Sequence, residues 1–575
     1  MVTVLIGAGA AYLWLGHPIA DWLDRARTPE PAPASEPTAT PLDRAPNDPW
    51  NVMDARASTP PPSGEYIEVA LLGAPASHYS DEAPTAIETN EQAYRDLLSE
   101  VMRAIGTEAR YDSALGRAAR EVAYYTGARG HAPPEAALTF LLHASGASEN
   151  SAAQFFTHST SDELDVVRDT LRRALDGTSG PSGRGILRIG IGEVSTPEGT
   201  YTRHVSVLAT RRAYYIEPTP RTAAFGGTWE LRGRLPDGYR DTTASALYPD
   251  GRVEDVPVES VGQDFALRVP AGDDSGTVHV SIDGVDDRGP GKLLQVSFVV
   301  GAAGDPPPAE ARIFVPERDT EFATVAEAES HALDLLGSDR ARAGLPLLQP
   351  DPALSAIARG HSEDMRDNHF FGHLSPYTGL AGDRLERAGY RATMHSENLA
   401  RNDSLAEAQA ALMASVGHRK NILDEKPTHV GIGLARLQSD ERTEWLVTQL
   451  FAKPVVELDV AALRTDLMDR IDRGRARLGR PPLRENERMS QVAEEYARLV
   501  ADGELEGVAR RALDALDDQK VTMSASVHAI YDLDGFELPE NALDGKVRAL
   551  GLGIVQSDDD AHGRTGIVLI FARAE

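Results

Sequence analysis

THVGIGLA, Thr428 to Ala435, is followed after the polar turn QSDERTE by WLVTQLFA, Trp445 to Ala452. Two short apolar runs joined in this way read as a β-hairpin. Upstream, ALSAIARGHSEDM sets Leu354, Ile357, Ala358, His361 and Met365 at i, i+3, i+4, i+7 and i+11, one stripe of a helix. A helix first and paired strands last make a layered α+β unit, with helices packed on a small antiparallel sheet.

The same unit is written again on either side. DRARAGLPLLQPDPALSAIARG (Asp339 to Gly360) matches GRARLGRPPLRENERMSQVAEEY (Gly474 to Tyr496) at an offset of 135, and the hairpin is echoed by RALGLGIV and GIVLIFAR at an offset of 120. Fifteen residues are therefore missing from the last copy, between these anchors, where the middle copy keeps its histidines. A more distant copy lies upstream: RYDSALGRAAREVA (Arg110 to Ala123) matches QPDPALSAIARGHS, and ILRIGIGEV with RHVSVLATR supplies the strand pair. Self-similarity at such periods marks repeated supersecondary units.

Between the first and middle copies, Tyr215 to Gly301 changes character. GTWELRGRL, TASALYPDG, DFALRVPA, GTVHVSID and KLLQVSFVV are short alternating runs separated by Gly, Asp and Pro. This spacing predicts an all-β sandwich of immunoglobulin-like type, without the cysteine and tryptophan hallmarks of antibody domains.

At 575 residues the chain exceeds what one hydrophobic core supports. The formal charge of −30, from 58 basic and 88 acidic residues, repels phosphate backbones and argues against a nucleic-acid partner. With no cysteine, disulfides, thiolate ligands and thiol nucleophiles are excluded. The N-terminal stretch MVTVLIGAGAAYLWLGHPIADWL has no charged side chain before Asp21, and ten prolines follow between Pro29 and Pro62. An apolar run of signal length ahead of a semi-rigid proline tract predicts export or membrane anchoring, with the tract as a spacer. The expected order is an anchor or signal segment at 1–27, a linker at 28–64, a degenerate copy at 65–214, the β-sandwich at 215–302, a linker at 303–326, the complete unit at 327–456 and a second degenerate copy at 457–575.

The middle unit resembles a bacterial CAP domain, of the superfamily of cysteine-rich secretory, antigen 5 and pathogenesis-related proteins, also called the SCP domain. The marks are SDRARAGLPLL, ALSAIARGHSEDM, HFFGHLSP, the RLERAGY helix, SENLA, SVGHRKNIL and HVGIGLA, seven in order over some 125 residues. The resemblance implies an α-β-α sandwich whose surface cleft holds two histidines and up to two acids. Carried over, these are His373, His418 and Glu397; Ser415 stands where many members have a second glutamate, leaving a triad. In the C-terminal copy Leu538 takes the place of His418, and Val508 falls near that of His373. In the N-terminal copy His131 and Glu149 echo the motif.

Two neutral imidazoles and a carboxylate suit zinc or another divalent cation with an open coordination position, the arrangement that activates water in hydrolases. His373 and His418 are the expected metal ligands, with Ser375 and Glu397 completing the ligand cleft. A hydrolase of peptidase type would employ Glu397, with Ser415 beside it. No oxyanion stabiliser or activated nucleophile accompanies them in the sequence, so the resemblance favours a non-enzymatic, extracytoplasmic module that binds a small molecule, a lipid or a protein. His361, on the apolar helix stripe, reads as a core residue; His369 and His429 read as packing or surface residues.

Overall fold

The computed structural model describes residues 63–573 apart from 80–89, 160–163, 179–184, 196–202, 288, 320, 439–442, 456, 517–520, 531–535 and 558–563. The apolar N-terminal run and the proline tract up to residue 62 lie outside the described residues. Among the described residues no helix is long and apolar enough to cross a membrane. The chain divides into two compact units, one comprising Leu385–His395 and Ala452–Glu575, the other Leu42–Arg384 and Ser396–Phe451.

Three four-stranded sheets share one plan. In the middle sheet the order is Gln349–Pro350, His429–Gln438, Thr443–Pro454, Ala392–Asn402; in the C-terminal sheet it is Arg484–Glu485, Val547–Gln556, Thr565–Arg573, Met523–Ile530; upstream it is Arg110–Tyr111, Ile186–Ser195, Arg203–Arg212, Ala153–Ser159. Each begins with a two-residue strand paired in parallel to the next. Each such strand leads into a helix whose N-cap, Asp351, Asn486 or Asp112, accepts a hydrogen bond from the first turn.

The hairpin glycines explain how helix and sheet meet. Along Val430–Ala435 the side chains alternate: Val430, Ile432 and Leu434 enter one core, while Gly431 and Gly433 face the helix Pro352–Asp367. A Cβ at Gly431 would fall on the backbone of Leu354–Ser355, and one at Gly433 on Ala358–Arg359. Gly551 and Gly553 meet Met489 and Ala493 in the same way, and Gly190 and Gly192 meet Leu115 and Ala119–Arg120. The helix backbone therefore lies directly on the strand. The opposite face packs against the helices Val325–Arg342 and Leu405–Ala414 through Ala328, Ala332, Leu336, Leu405 and Leu412, so helices cover both faces of the sheet.

A second shared device is a buried arginine. Arg340 donates to the carbonyls of Pro346, Ile422 and Asp424. Arg475 donates to those of Pro481, Ala542 and Asp544, at the offsets of 135 and 120 read from the sequence.

Residues 215–302 form two sheets, ordered Val258–Val261, Asp264–Pro270, Thr228–Arg234, Tyr215–Ile216 and Val253–Val256, Arg240–Leu247, Gly276–Asp286, Gly289–Gly301, Thr222–Ala224. They share one core in which Trp229 stacks on Phe298 at 4.7 Å.

Two boundaries differ from the sequence reading. The segment 303–326, expected as a linker, contains the strand Glu310–Pro316, antiparallel to Gly64–Ala70. Its alternation serves two cores at once: Ala311 and Ile313 pack with the upstream helices, and Phe314 packs with the middle unit and Tyr66. The prolines and charges that read as a linker flank this strand. Within 327–456, Leu385–His395 groups with the C-terminal unit, where Arg391 donates to the carbonyl of Ser557 and Val455 donates to that of Arg391.

Replacing Gly433 by Ala is expected to destabilise the chain by about 1–3 kcal/mol, because the added methyl meets helix backbone that has nowhere to move. Gly360→Ala, in the helix where an added Cβ meets nothing within 4 Å, is expected to stabilise by roughly 0.5–1 kcal/mol. Urea unfolding of the two variants beside the wild type reads the difference in sign.

Candidate functional site

Glu397 lies on the strand Ala392–Asn402. One carboxylate oxygen accepts from His373 Nδ1 at 2.9 Å, and the other is paired with the Arg384 guanidinium. Glu397 and Arg384 are almost fully buried, whereas the His373 side chain is 21 % exposed and faces the opening. Burial pushes the Glu397 carboxyl up, but the His373 hydrogen bond and the charge of Arg384 outweigh it and hold the pKa below the usual value. Because a carboxylate only accepts, Nδ1 of His373 donates in this bond, and Nε2 is the ring nitrogen that Glu397 leaves unengaged.

Arg384 fixes the loop as well as the acid, donating to the carbonyls of His373 and Gly379. His361, read from the sequence as a core residue, is buried and also holds the loop: its Nε2 donates to the carbonyl of Gly372 at 3.1 Å. Burial, against the pull of Glu397, lowers its pKa to about 4.

His418 sits on the short helix Val416–Ile422. Solvent reaches part of the ring, yet protein encloses it closely enough that burial, followed by the charges of Lys292 and His373, lowers its pKa to about 3. It is thus a neutral imidazole at physiological pH. Its carbonyl accepts from Asn398 Nδ2 at 3.1 Å, and Asn421 donates to Asn398 Oδ1 and to the carbonyl of Glu397. From Asn398 a buried polar chain runs through Gln449 and Gln409 to Asp339, which is paired with Arg342. The motifs SENLA and HRKNIL are therefore joined through their asparagines as much as through Glu397 and His418.

The remaining expected site residues are placed differently. Ser375 donates to Asp364 Oδ2 at 2.5 Å and accepts from the backbone N–H groups of Tyr377 and Thr378, so its hydroxyl locks a turn rather than lining the cleft. Ser415 is buried as the N-cap of the His418 helix, without a side-chain cap hydrogen bond. Among the described residues no group of three or more His, Cys, Asp or Glu converges closely enough to hold a metal ion. The donor chemistry nevertheless fits a pair of imidazole ligands, with Glu397 placed to orient His373 in the way carboxylates orient metal-bound histidines.

Upstream, His131 is exposed and turned to the carbonyl of Ala132, while Glu149 is buried beside Arg212. In the C-terminal unit, Leu538 and Val508 pack in separate apolar clusters. Two hollows of about 450 and 540 Å³ open on the β-sandwich beside Phe225 and Trp229, and neither touches the histidines.

The site lies in a sheet covered by helices on both faces, with His373 hydrogen-bonded to Glu397 of that sheet. Residues 333–451 match the family described as CAP, cysteine-rich secretory protein family, and the chain carries a CAP domain there. Two Bacillus subtilis (strain 168) relatives match over 111 residues, or 19 % of this chain: the uncharacterized protein YkwD at 38 % identity and the uncharacterized membrane protein YlbC at 39 %. The matches cover 43 % and 32 % of those proteins, so the chain spans less than half the length of either. Similar solved structures include an outer surface protein from Borrelia burgdorferi, at 18 % identity and TM-score 0.21 over 24 % of this chain and 99 % of that one. An extracellular SCP-domain protein from Bacillus anthracis str. Ames gives 19 % and 0.21 over 42 % of this chain and 86 % of that one.

The lowered pKa of His361 sets a pH dependence. Between the unfolded value of about 6.5 and the folded value of about 4 the unfolded chain binds the extra proton, so stability is lost as pH falls through that window. His361 alone is expected to contribute on the order of 3 kcal/mol to that loss. His361→Gln, which can still donate to Gly372, is expected to flatten the change in urea midpoint between pH 7 and pH 4.

Proposed function

We propose that the chain is an extracytoplasmic, non-enzymatic binding protein. Its CAP cleft takes a small-molecule, lipid or protein ligand, and His373 and His418 hold zinc or another divalent cation. Two degenerate CAP-like copies and an immunoglobulin-like sandwich surround that one site. The observation that carries the non-enzymatic reading is the engagement of Glu397: one oxygen serves His373 and the other Arg384, and the carboxyl pKa is held down, so it is not poised to take a proton from water. Ser415 makes no hydrogen bond to a histidine among the described residues, which speaks against a serine nucleophile. The charge-free apolar run and proline tract at the N-terminus support export, as does the membrane designation of one relative.

A bound metal would supply a Lewis acid and a template for the ligand. The chain's own part is to present His373 Nε2, through the Glu397 hydrogen bond, and to keep His418 neutral by enclosure. Zinc titration of the full chain by calorimetry at pH 7.4 is expected to give binding that weakens at least tenfold in His373→Ala and in His418→Ala, with unfolding midpoints unchanged. Absence of binding, or binding indifferent to both substitutions, would remove the metal from this reading.

A further inference from the structure

The helix that carries His418 begins without a cap of its own, and the missing partner comes from the β-sandwich. Ser415 is its N-cap residue and makes no side-chain cap bond. The first helical N–H, that of Val416, instead donates to Gln295 Oε1 at 3.2 Å, and Gln295 Nε2 donates to the carbonyl of Ala414 at 3.2 Å. Only this orientation of the amide satisfies both backbone groups, since the reverse would set NH₂ against N–H. Gln295 is itself buried, on the strand Gly289–Gly301 paired with Gly276–Asp286.

Further contacts from the sandwich fall beside both histidines. Asp283 lies next to Gly417, where an added Cβ would meet its carboxylate at 3.7 Å. Gly289 lies against Leu374, the neighbour of His373, so closely that a Cβ there would come within 2.9 Å of the Leu374 Cβ. On the outer side of the helix, Lys420 pairs with Asp255 at 2.5 Å. Lys292, the strand partner of Asp283, adds a charge that reaches His418, Asp283 and Glu135.

We propose that the strand pair Gly276–Asp286 and Gly289–Gly301 is a working wall of the histidine cleft, with Gln295 as a positioning residue that caps the His418 helix and so holds His418 screened from solvent. An uncapped helix start leaves orphan N–H groups and frays, and fraying within a seven-residue helix reaches the third residue, His418. The cleft then belongs to two domains: the CAP fold supplies the imidazoles, and the sandwich decides how far one of them is open.

Diethyl pyrocarbonate labelling of the full chain at pH 7, followed by peptide mass spectrometry, tests this without metal or ligand and so stands or falls apart from the binding function. His418 is expected to react about tenfold more slowly than the exposed His369 and His78. Gln295→Ala is expected to raise the His418 rate severalfold while leaving His369 and His78 unchanged. Gln295→Glu, which keeps the acceptor for the Val416 N–H but sets an oxygen against the Ala414 carbonyl, is expected to restore only part of the protection. Asp255→Ala, which removes the exposed ion pair to the same helix together with the acceptor of the Ser245 hydroxyl, gives a smaller rise in the same direction and serves if Gln295→Ala does not fold. His418 reacting as fast as His369 in the wild type overturns the proposal, as does a rate that neither Gln295→Ala nor Asp255→Ala changes.

Discussion

The contact on which this architecture depends is backbone on backbone: the helix Pro352–Asp367 laid against the glycines of Val430–Ala435. A strand with large residues on one face and none on the other has two different surfaces to offer. The empty face admits a helix at closer approach than side chains would permit, and the filled face anchors a separate apolar core. With the helix so placed, Ser362 reaches the carbonyl of Gly433 and the hydroxyl of Thr448. His361, the residue before it, reaches Gly372 at the start of the histidine loop. The cleft is thus built outward from the glycine contact.

The same contact recurs with Gly551 and Gly553 and with Gly190 and Gly192, while the pair His373 and His418 belongs to the middle unit. The scaffold and the site are separable. Helix caps, glycine faces and the buried arginines Arg340 and Arg475 maintain the layers, and none of them calls for a histidine. In the C-terminal unit, Leu538 and Val508, the positions matched from the sequence, pack in apolar clusters.

Electrostatically the middle site is quiet. A carboxylate shared by one imidazole and one guanidinium is fully satisfied, and such an arrangement rigidifies a site more than it activates one. The second imidazole is kept neutral by enclosure and by the charge of Lys292 on the sandwich.

Much of the fold was legible in the sequence because it rests on periodicity: the helix stripe from Leu354 to Met365, the paired apolar runs, and offsets of 135 and 120 that reappear in the hydrogen bonds of Arg340 and Arg475. The strand Glu310–Pro316 was missed because its two faces serve different cores and its flanks carry prolines and charges. For the site, the family motifs pointed to His373, Glu397 and His418, but not to Arg384, Asn398 or Gln295, whose partners lie 13, 20 and 121 residues away. Residue types and their spacing determined by themselves that the chain repeats a helix-and-hairpin unit and that one copy keeps a pair of histidines. Only the tertiary structure decided which groups bond Glu397, that Ser375 is consumed by a turn, and that a separate domain caps the His418 helix, because each of these depends on distances between segments that sequence order does not encode.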